Sequence, residues 1–187
     1  MTGIDLLPVG EMSRGELRDL RTGLAHAFGV PCDILDASLD PSFALHAVRL
    51  QFHSSEILAQ MHGGLRAGIR MLGVTESDLY IPILTFVFGE AEVGGSCAVV
   101  SAHRLRQEFY GLPADPELER ERLLKEAVHE LGHTLELTHC NDYRCVMAAS
   151  HSVEWIDMKE SEFCGECRGS LSQRQNGNAV RAGRQGL

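Results

Sequence analysis

No run in this chain approaches the roughly 18 consecutive apolar residues that a membrane-crossing helix needs. The start, Met1-Thr-Gly-Ile-Asp5, lacks the positive region and apolar stretch of a secretory leader. A soluble, cytoplasmic protein is expected. Basic charge is scarce as well: 17 Lys and Arg stand against 26 Asp and Glu, for a net charge of −9. There is no basic stripe, and aromatic residues make up only 6% of the chain, so a phosphate-binding surface with stacking rings is absent and nucleic acid is not an expected partner. Internal repeats are missing too, which argues against a solenoid or propeller. What remains is 187 residues with 44% hydrophobic content, enough for one sizeable core and so a single domain.

Against that background one stretch stands out, His129-Glu-Leu-Gly-His133, followed by His139 and Met147. On a helix His129 and His133 share one face about 5–6 Å apart. Two imidazole nitrogens so placed can reach one zinc ion at about 2.0–2.1 Å each. Asp115 and Pro116 predict the helix start, because the carboxylate caps free backbone donors and proline at the first position wastes no hydrogen bond. Leu124, Val128, Leu131 and Leu135 then form a stripe to bury against a sheet, while the histidines face elsewhere. Gly132 leaves room for another segment to approach closely. Glu130 falls beside the metal without being forced to ligate it, as the general base of a zinc hydrolase must. The plainer alternative is a surface helix that happens to carry two histidines.

The cysteines suggest a second ion. Cys140 and Cys145 are separated by four residues and Cys164 and Cys167 by two, spacings that let four thiolates close around one tetrahedral ion and leave no open position. Such a site is structural. Two disulfides or four unpaired thiols are the competing readings, and the lack of a secretion signal argues against the disulfides. Cys32 and Cys97 fall outside the pattern and read as buried small hydrophobes.

His129, Glu130, His133, His139 and Met147 together resemble the metzincin zinc-peptidase signature. Cys140 directly after the third histidine, Cys145 before Val146-Met147, and the pair Cys164 and Cys167 narrow the resemblance to the archaemetzincin family. It extends upstream through Asp78-Leu-Tyr-Ile-Pro82, Phe86-Val-Phe-Gly-Glu-Ala91, Val99-Val-Ser101, Arg104-Leu-Arg106 and Phe109-Tyr-Gly-Leu112. The resemblance implies an α+β, zincin-like fold: a mixed, mostly parallel sheet with helices packed on it, an active-site helix, a methionine turn and a small zinc-stapled C-terminal part. It further implies two zinc ions, one catalytic on His129, His133 and His139, the other structural on Cys140, Cys145, Cys164 and Cys167. Glu130 would serve as general base and acid in peptide-bond hydrolysis, with peptides or proteins as substrates; separately from the resemblance, a monomer is expected. One position departs from the pattern. The helix-breaking glycine of the signature is Glu136 here, and a β-carbon raises the cost of the left-handed conformation by about 1–2 kcal/mol. Either Glu136 bears that strain, or the helix runs on and aims its carboxylate at the metal as an alternate ligand.

Along the chain, a strand is expected near Ile4 to Val9, a helix near Arg14 to Phe28, strand-like material from Phe43 to Phe52 and a helix from Ser54 to Ile69. Tyr80 to Phe88 reads as a buried strand despite Pro82, and Gly94-Gly95 as a turn into a strand from Cys97 to His103. By position that last strand would be the sheet edge along which metzincins pair an extended substrate. Residues 1–172 are read as one catalytic domain with an upper part, 1–136, and a lower part, 137–172; the polar, Gly-rich tail 173–187 is expected to be disordered. His103 could touch substrate at the edge, though a lone histidine there is more often solvated, as are His26, His46, His53, His62 and His151. Tyr110 and Tyr143 are candidate oxyanion donors, with ordinary packing the simpler reading. Two rivals to a peptidase stay open: a zinc-organised peptide-binding or regulatory domain with little activity, and a metal hydrolase of small molecules.

Overall fold

The computed structural model describes residues 1–182, with side chains as far as residue 173. Its centre is a five-stranded sheet in the order β2-β1-β5-β8-β7, built from β1 (Gly3–Val9), β2 (Cys32–Ile34), β5 (Ile69–Thr75), β7 (Gly89–Ala91) and β8 (Cys97–Ser101). All neighbours are parallel except β7, which runs antiparallel to β8 at the edge. A smaller sheet joins β3 (Leu45–His46), β4 (Gln51–His53) and β6 (Leu79–Tyr80). This is the expected mixed, mostly parallel architecture.

Because side chains alternate along a strand, the three inner strands β1, β5 and β8 each feed two cores. Ile4, Leu6, Leu72, Val74, Ala98 and Val100 face α1 (Arg14–Phe28) and α3 (Pro116–Thr134), while Leu7, Val9, Met71, Cys97 and Val99 face α2 (Ser54–Met61). α1 starts on Ser13, whose side chain accepts from the Gly15 N–H, and ends on Gly29 in the left-handed conformation, with bounds equal to those expected. Gly23 lets α1 touch α3, since a β-carbon there would stand 2.7 Å from a Leu124 methyl.

Several expectations need correction. The helix from Ser54 stops at Met61, and Ile69 opens β5, a central strand that the sequence reading missed. Gly63, Gly64 and Gly68 interrupt the helix, and a strand covered on both faces carries no alternation to betray it. Of Tyr80 to Phe88 only Tyr80 belongs to a strand, β6; Pro82 offers no donor, and the segment loops out before Val87 bridges back to Leu79. The Cys97 strand is interior and buried along its whole length, so it is not the edge. That role falls to β7. Helix α5 (Gly165–Ala182) runs into the stretch expected to form the tail, 173–187, and residues 183–187 lie outside the described residues. Among the described residues no helix is long and apolar enough to cross a membrane.

Candidate metal centres and cleft

α3 positions the histidines. Its N-cap, Asp115, accepts from the Leu118 N–H at 3.0 Å, with Pro116 at the first position. From Arg122 to Thr134 the helix is buried almost all round, so His129 and Glu130 keep only 5% and 6% of their surface exposed. His129 Nε2 and His133 Nε2 lie 3.1 Å apart. Each ring turns its other nitrogen to a carbonyl: His129 Nδ1 is 2.9 Å from Val146 O, and His133 Nδ1 is 2.7 Å from Leu137 O. A carbonyl only accepts, so each Nδ1 carries the proton and the two Nε2 lone pairs face one another. Two acceptors so placed repel unless a cation lies between them, and ligands about 2.0–2.1 Å from a tetrahedral zinc stand about 3.3 Å apart. The residues fit the ion.

His139 completes the cluster. The ligand atoms of the three histidines lie within 4.8 Å of one another, and the His139 ring centroid is 5.3 Å from that of His129 and 5.0 Å from that of His133. Burial is the first cause that lowers the proton affinity of all three. They are therefore neutral near neutral pH, the form that binds metal.

The turn between His133 and His139 settles the question raised by Glu136. The helix ends at Thr134, and Glu136 takes φ 66°, the left-handed conformation of the missing glycine. Glu136 N–H donates to His133 O at 2.9 Å and Leu137 N–H to Gly132 O at 3.1 Å, the paired bonds of a Schellman motif. This turn swings the Leu137 carbonyl back onto His133 Nδ1. The Glu136 side chain lies over Gly94, at the tip of the β7–β8 turn, so the alternate-ligand reading is replaced by a strained helix stop.

Beneath the histidines runs the segment that ends in Met147. Gly132 carries no β-carbon where one would collide with the Met147 sulfur, which is why the methionine can lie directly under the helix. Met147 is fully buried, and its neighbour Val146 supplies the carbonyl that orients His129. Behind this floor is a pair that the sequence did not reveal. Lys159 Nζ lies 2.7 Å from Glu126 Oε1, both side chains all but sealed from water, and also donates to Ala148 O. Glu126 is one helical turn before Glu130, a hint available from spacing; Lys159 has no local signal.

Glu130 projects toward the edge strand, its Cγ and Oε1 within 2.8 Å of where a β-carbon on Gly89 would stand. Burial first, and then the neighbouring Glu126 carboxylate, raise its proton affinity well above the usual carboxylate range. A cleft of about 300 Å³ opens here, bounded by His129, Glu130 and His139 on one side and by Phe86, Val87 and Gly89 on the other. His151, expected to be merely solvated, also borders it. His103 does not. Its Nδ1 meets Glu76 O, and its ring packs edge-on against Phe109. Tyr110 donates to Arg104 O, which occupies the hydroxyl proposed for an oxyanion, and Tyr143 is exposed.

The four cysteines form a separate cluster. Cys140, Cys145, Cys164 and Cys167 place their sulfurs within 4.8 Å of one another, with Cys140 and Cys164 at 3.8 Å, and none is in a disulfide. Sulfurs about 2.3 Å from a tetrahedral zinc would stand about 3.8 Å apart. Cys164 N–H donates to Cys145 Sγ at 3.3 Å, and the Cys167 backbone N–H draws the Cys164 pKa down, while burial holds the Cys145 and Cys167 thiols up, so an incoming ion must displace their protons. His139 and Cys140 are adjacent in the chain yet belong to different clusters.

The model of peptidase family M54 matches residues 46–173. An archaemetzincin of Methanocaldococcus jannaschii is 42% identical over 171 residues, covering 91% of this chain and 93% of that one. An archaemetzincin of Pyrococcus furiosus is 38% identical over 188 residues, covering 95% and 96%. Among solved structures, an archaemetzincin from Archaeoglobus fulgidus complexed with malonate superposes with a TM-score of 0.79 at 39% identity, over 90% of this chain and 99% of that one. A zinc-dependent peptidase from Methanocorpusculum labreanum gives 0.83 at 30% identity, over 90% and 100%. A likeness this extensive in both sequence and fold places the chain in peptidase family M54 with the archaemetzincins, as a zinc metallopeptidase.

Proposed function

We propose that the chain hydrolyses peptide bonds at the His129, His133 and His139 centre, with Glu130 as general base and then general acid. The observation that carries this reading is the pair of Nε2 lone pairs facing each other at 3.1 Å beside a buried carboxylate. Zinc held there supplies Lewis acidity, bringing the ionisation of water toward neutral pH and polarising a carbonyl. The protein does the rest. β7 offers a free backbone edge alongside the cleft, so an extended peptide can pair with it and be gripped through its main chain, whatever its sequence. Glu130, raised in proton affinity by burial, suits a carboxylate that takes a proton from water and passes it to the leaving amine.

The same reading gives Cys140, Cys145, Cys164 and Cys167 a second, structural zinc, and treats residues 1–172 as one catalytic domain whose upper part, 1–136, meets its lower part, 137–172, at the cleft. The turn at Glu136 leaves His139 beside His133, which speaks against a groove that binds peptide without cutting it. Glu130→Gln tests the mechanism. Zinc content should stay at the wild-type level while turnover of a peptide library disappears; turnover at the wild-type rate would overturn it.

A further inference from the structure

A third group of ligand-bearing side chains lies on the other face of the sheet, where α2 covers the edge strand. The helix is tied to this edge at both ends. At its start Ser54 Oγ and Ser55 Oγ donate to the Glu90 carboxylate at 2.5 and 2.8 Å; just past its end His62 Nε2 lies 2.5 Å from Glu92 Oε1. The first tie is complete in itself. The second has an additional member: Ala91 pairs with Ala98, so the next residues outward, Glu92 and Cys97, face each other across the turn, and Glu92 N–H donates to Cys97 O at 3.1 Å. Cross-strand neighbours put their side chains on one face of the sheet. The imidazole nitrogen of His62, a carboxylate oxygen of Glu92 and the sulfur of Cys97 accordingly come within 4.8 Å of one another.

An exposed His–Glu contact is worth about 0–1 kcal/mol and needs no thiol beside it. The turn is also shaped to bring the carboxylate in. A β-carbon on Gly95 would stand 2.6 Å from Glu92 Oε2, so glycine there lets Glu92 fold over the turn toward His62. The sulfur is sealed inside while His62 is about half exposed, which leaves the outer side open for a water as fourth ligand.

We propose that His62, Glu92 and Cys97 form a third metal site, which takes one zinc-class divalent ion and clamps the β7–β8 turn to the end of α2. One nitrogen, one oxygen and one sulfur suit a borderline-soft tetrahedral ion and not magnesium or calcium, which take oxygen. Ligands at zinc distances stand about 3.3 Å apart, so the His62–Glu92 contact has to open by less than about 1 Å. Burial and the Glu92 charge hold the Cys97 thiol up at about 11, and an incoming ion must displace that proton. The site is therefore weaker than the four-cysteine cluster and fills last. Its position gives it leverage on catalysis, because Gly94 at the tip of the same turn donates its N–H to His133 O at 2.9 Å.

The test is a cobalt(II) titration of the full chain after saturation with zinc and removal of the loosely held excess. One cobalt ion per chain should bind with a sulfur-to-cobalt charge-transfer band of single-thiolate strength. Cys97→Ala should abolish the band, and His62→Gln, a change on the surface that leaves the core intact, should weaken binding at least about tenfold. The proposal is overturned if wild type takes up no more cobalt than His62→Gln, or if the band survives in Cys97→Ala and so comes from the other cysteines. These differences between wild type and variants do not depend on whether the histidine centre hydrolyses peptides.

Discussion

Glu136→Gly is the sharpest perturbation of the active-site turn. Glu136 holds φ 66° in a Schellman motif whose bonds place the Leu137 carbonyl against His133 Nδ1. A residue with a β-carbon adopts that conformation at a cost of about 1–2 kcal/mol, which glycine does not bear. Two effects oppose the gain. Glycine makes the unfolded chain more flexible, at about 0.4–1 kcal/mol, and the contacts of an exposed carboxylate are worth about 0–1 kcal/mol. Together the two offset most of the backbone effect, so Glu136→Gly should be more stable than wild type by about 0.3 kcal/mol, and than Glu136→Ala, which loses the same carboxylate contacts, by about 0.8 kcal/mol. For a chain of this size that places Tm about 1 °C above wild type and about 2–3 °C above the alanine variant.

The assay is calorimetry on zinc-loaded protein, with Glu136→Ala as control. Alanine removes the carboxylate but keeps the β-carbon, so its Tm should not exceed that of wild type. Glu136→Asn should fall between, because asparagine tolerates the left-handed region better. A Glu136→Gly variant no more stable than Glu136→Ala would refute the reasoning, since the difference between those two variants isolates the backbone from the side chain. Hydrolysis should stay within about twofold of wild type, as the backbone already has the geometry that glycine would give it.

Other perturbations probe neighbouring parts. With loosely held metal removed, Cys164→Ser should lower metal content from two ions toward one and drop Tm, because ligation of a structural zinc is itself folding free energy; two tightly held ions in a fully stable variant would exclude the cysteine site. Lys159→Met leaves the Glu126 carboxylate buried without its partner and should cost about 3–5 kcal/mol in denaturant unfolding, with much of the loss recovered in the double variant with Glu126→Leu. With the catalytic ion removed, stability should be full above pH about 6.5 and decline below it. Burial depresses the folded-state affinities of His129 and His133, so the unfolded chain takes up protons that the folded one refuses. Denaturant midpoints that do not change through this range would contradict that assignment.

What the sequence disclosed and what it hid follow from how local each signal is. α1 was legible to the residue because Ser13, a spaced leucine stripe and Gly29 all act within its own span. The histidine and cysteine clusters were legible because their chemistry lies in spacing. β5 was hidden because Ile69–Thr75 is covered on both faces, and β7 because Gly-Glu-Ala has no strand propensity; its role comes only from being last in the sheet. The Lys159 and Glu126 pair, like His62 with Glu92 and Cys97, joins residues far apart in the chain, and no local pattern announces such meetings.

The part of the chain after Thr134 has few regular elements before α4 (Val153–Met158) and little core of its own, yet it must hold His139 and the floor under His129 in place. The segment Cys145-Val146-Met147 does this by joining everything nearby. Cys145 gives a sulfur to the cysteine cluster, Val146 N–H donates to Glu162 O, and its carbonyl accepts from His129. Met147 fills the space that Gly132 leaves, and its carbonyl accepts the Cys140 N–H at 2.9 Å. Cys140 in turn is bonded to His139. On the proposed reading, the cysteine-bound ion therefore does more than stabilise a small lobe: it fixes both ends of a short path from which the first and third histidines take their orientation. With both ions bound as proposed, rigidity that a larger protein would draw from hydrophobic packing would come here from coordination. Restoring the catalytic ion alone to a chain stripped of both should consequently leave the three imidazoles unable to converge.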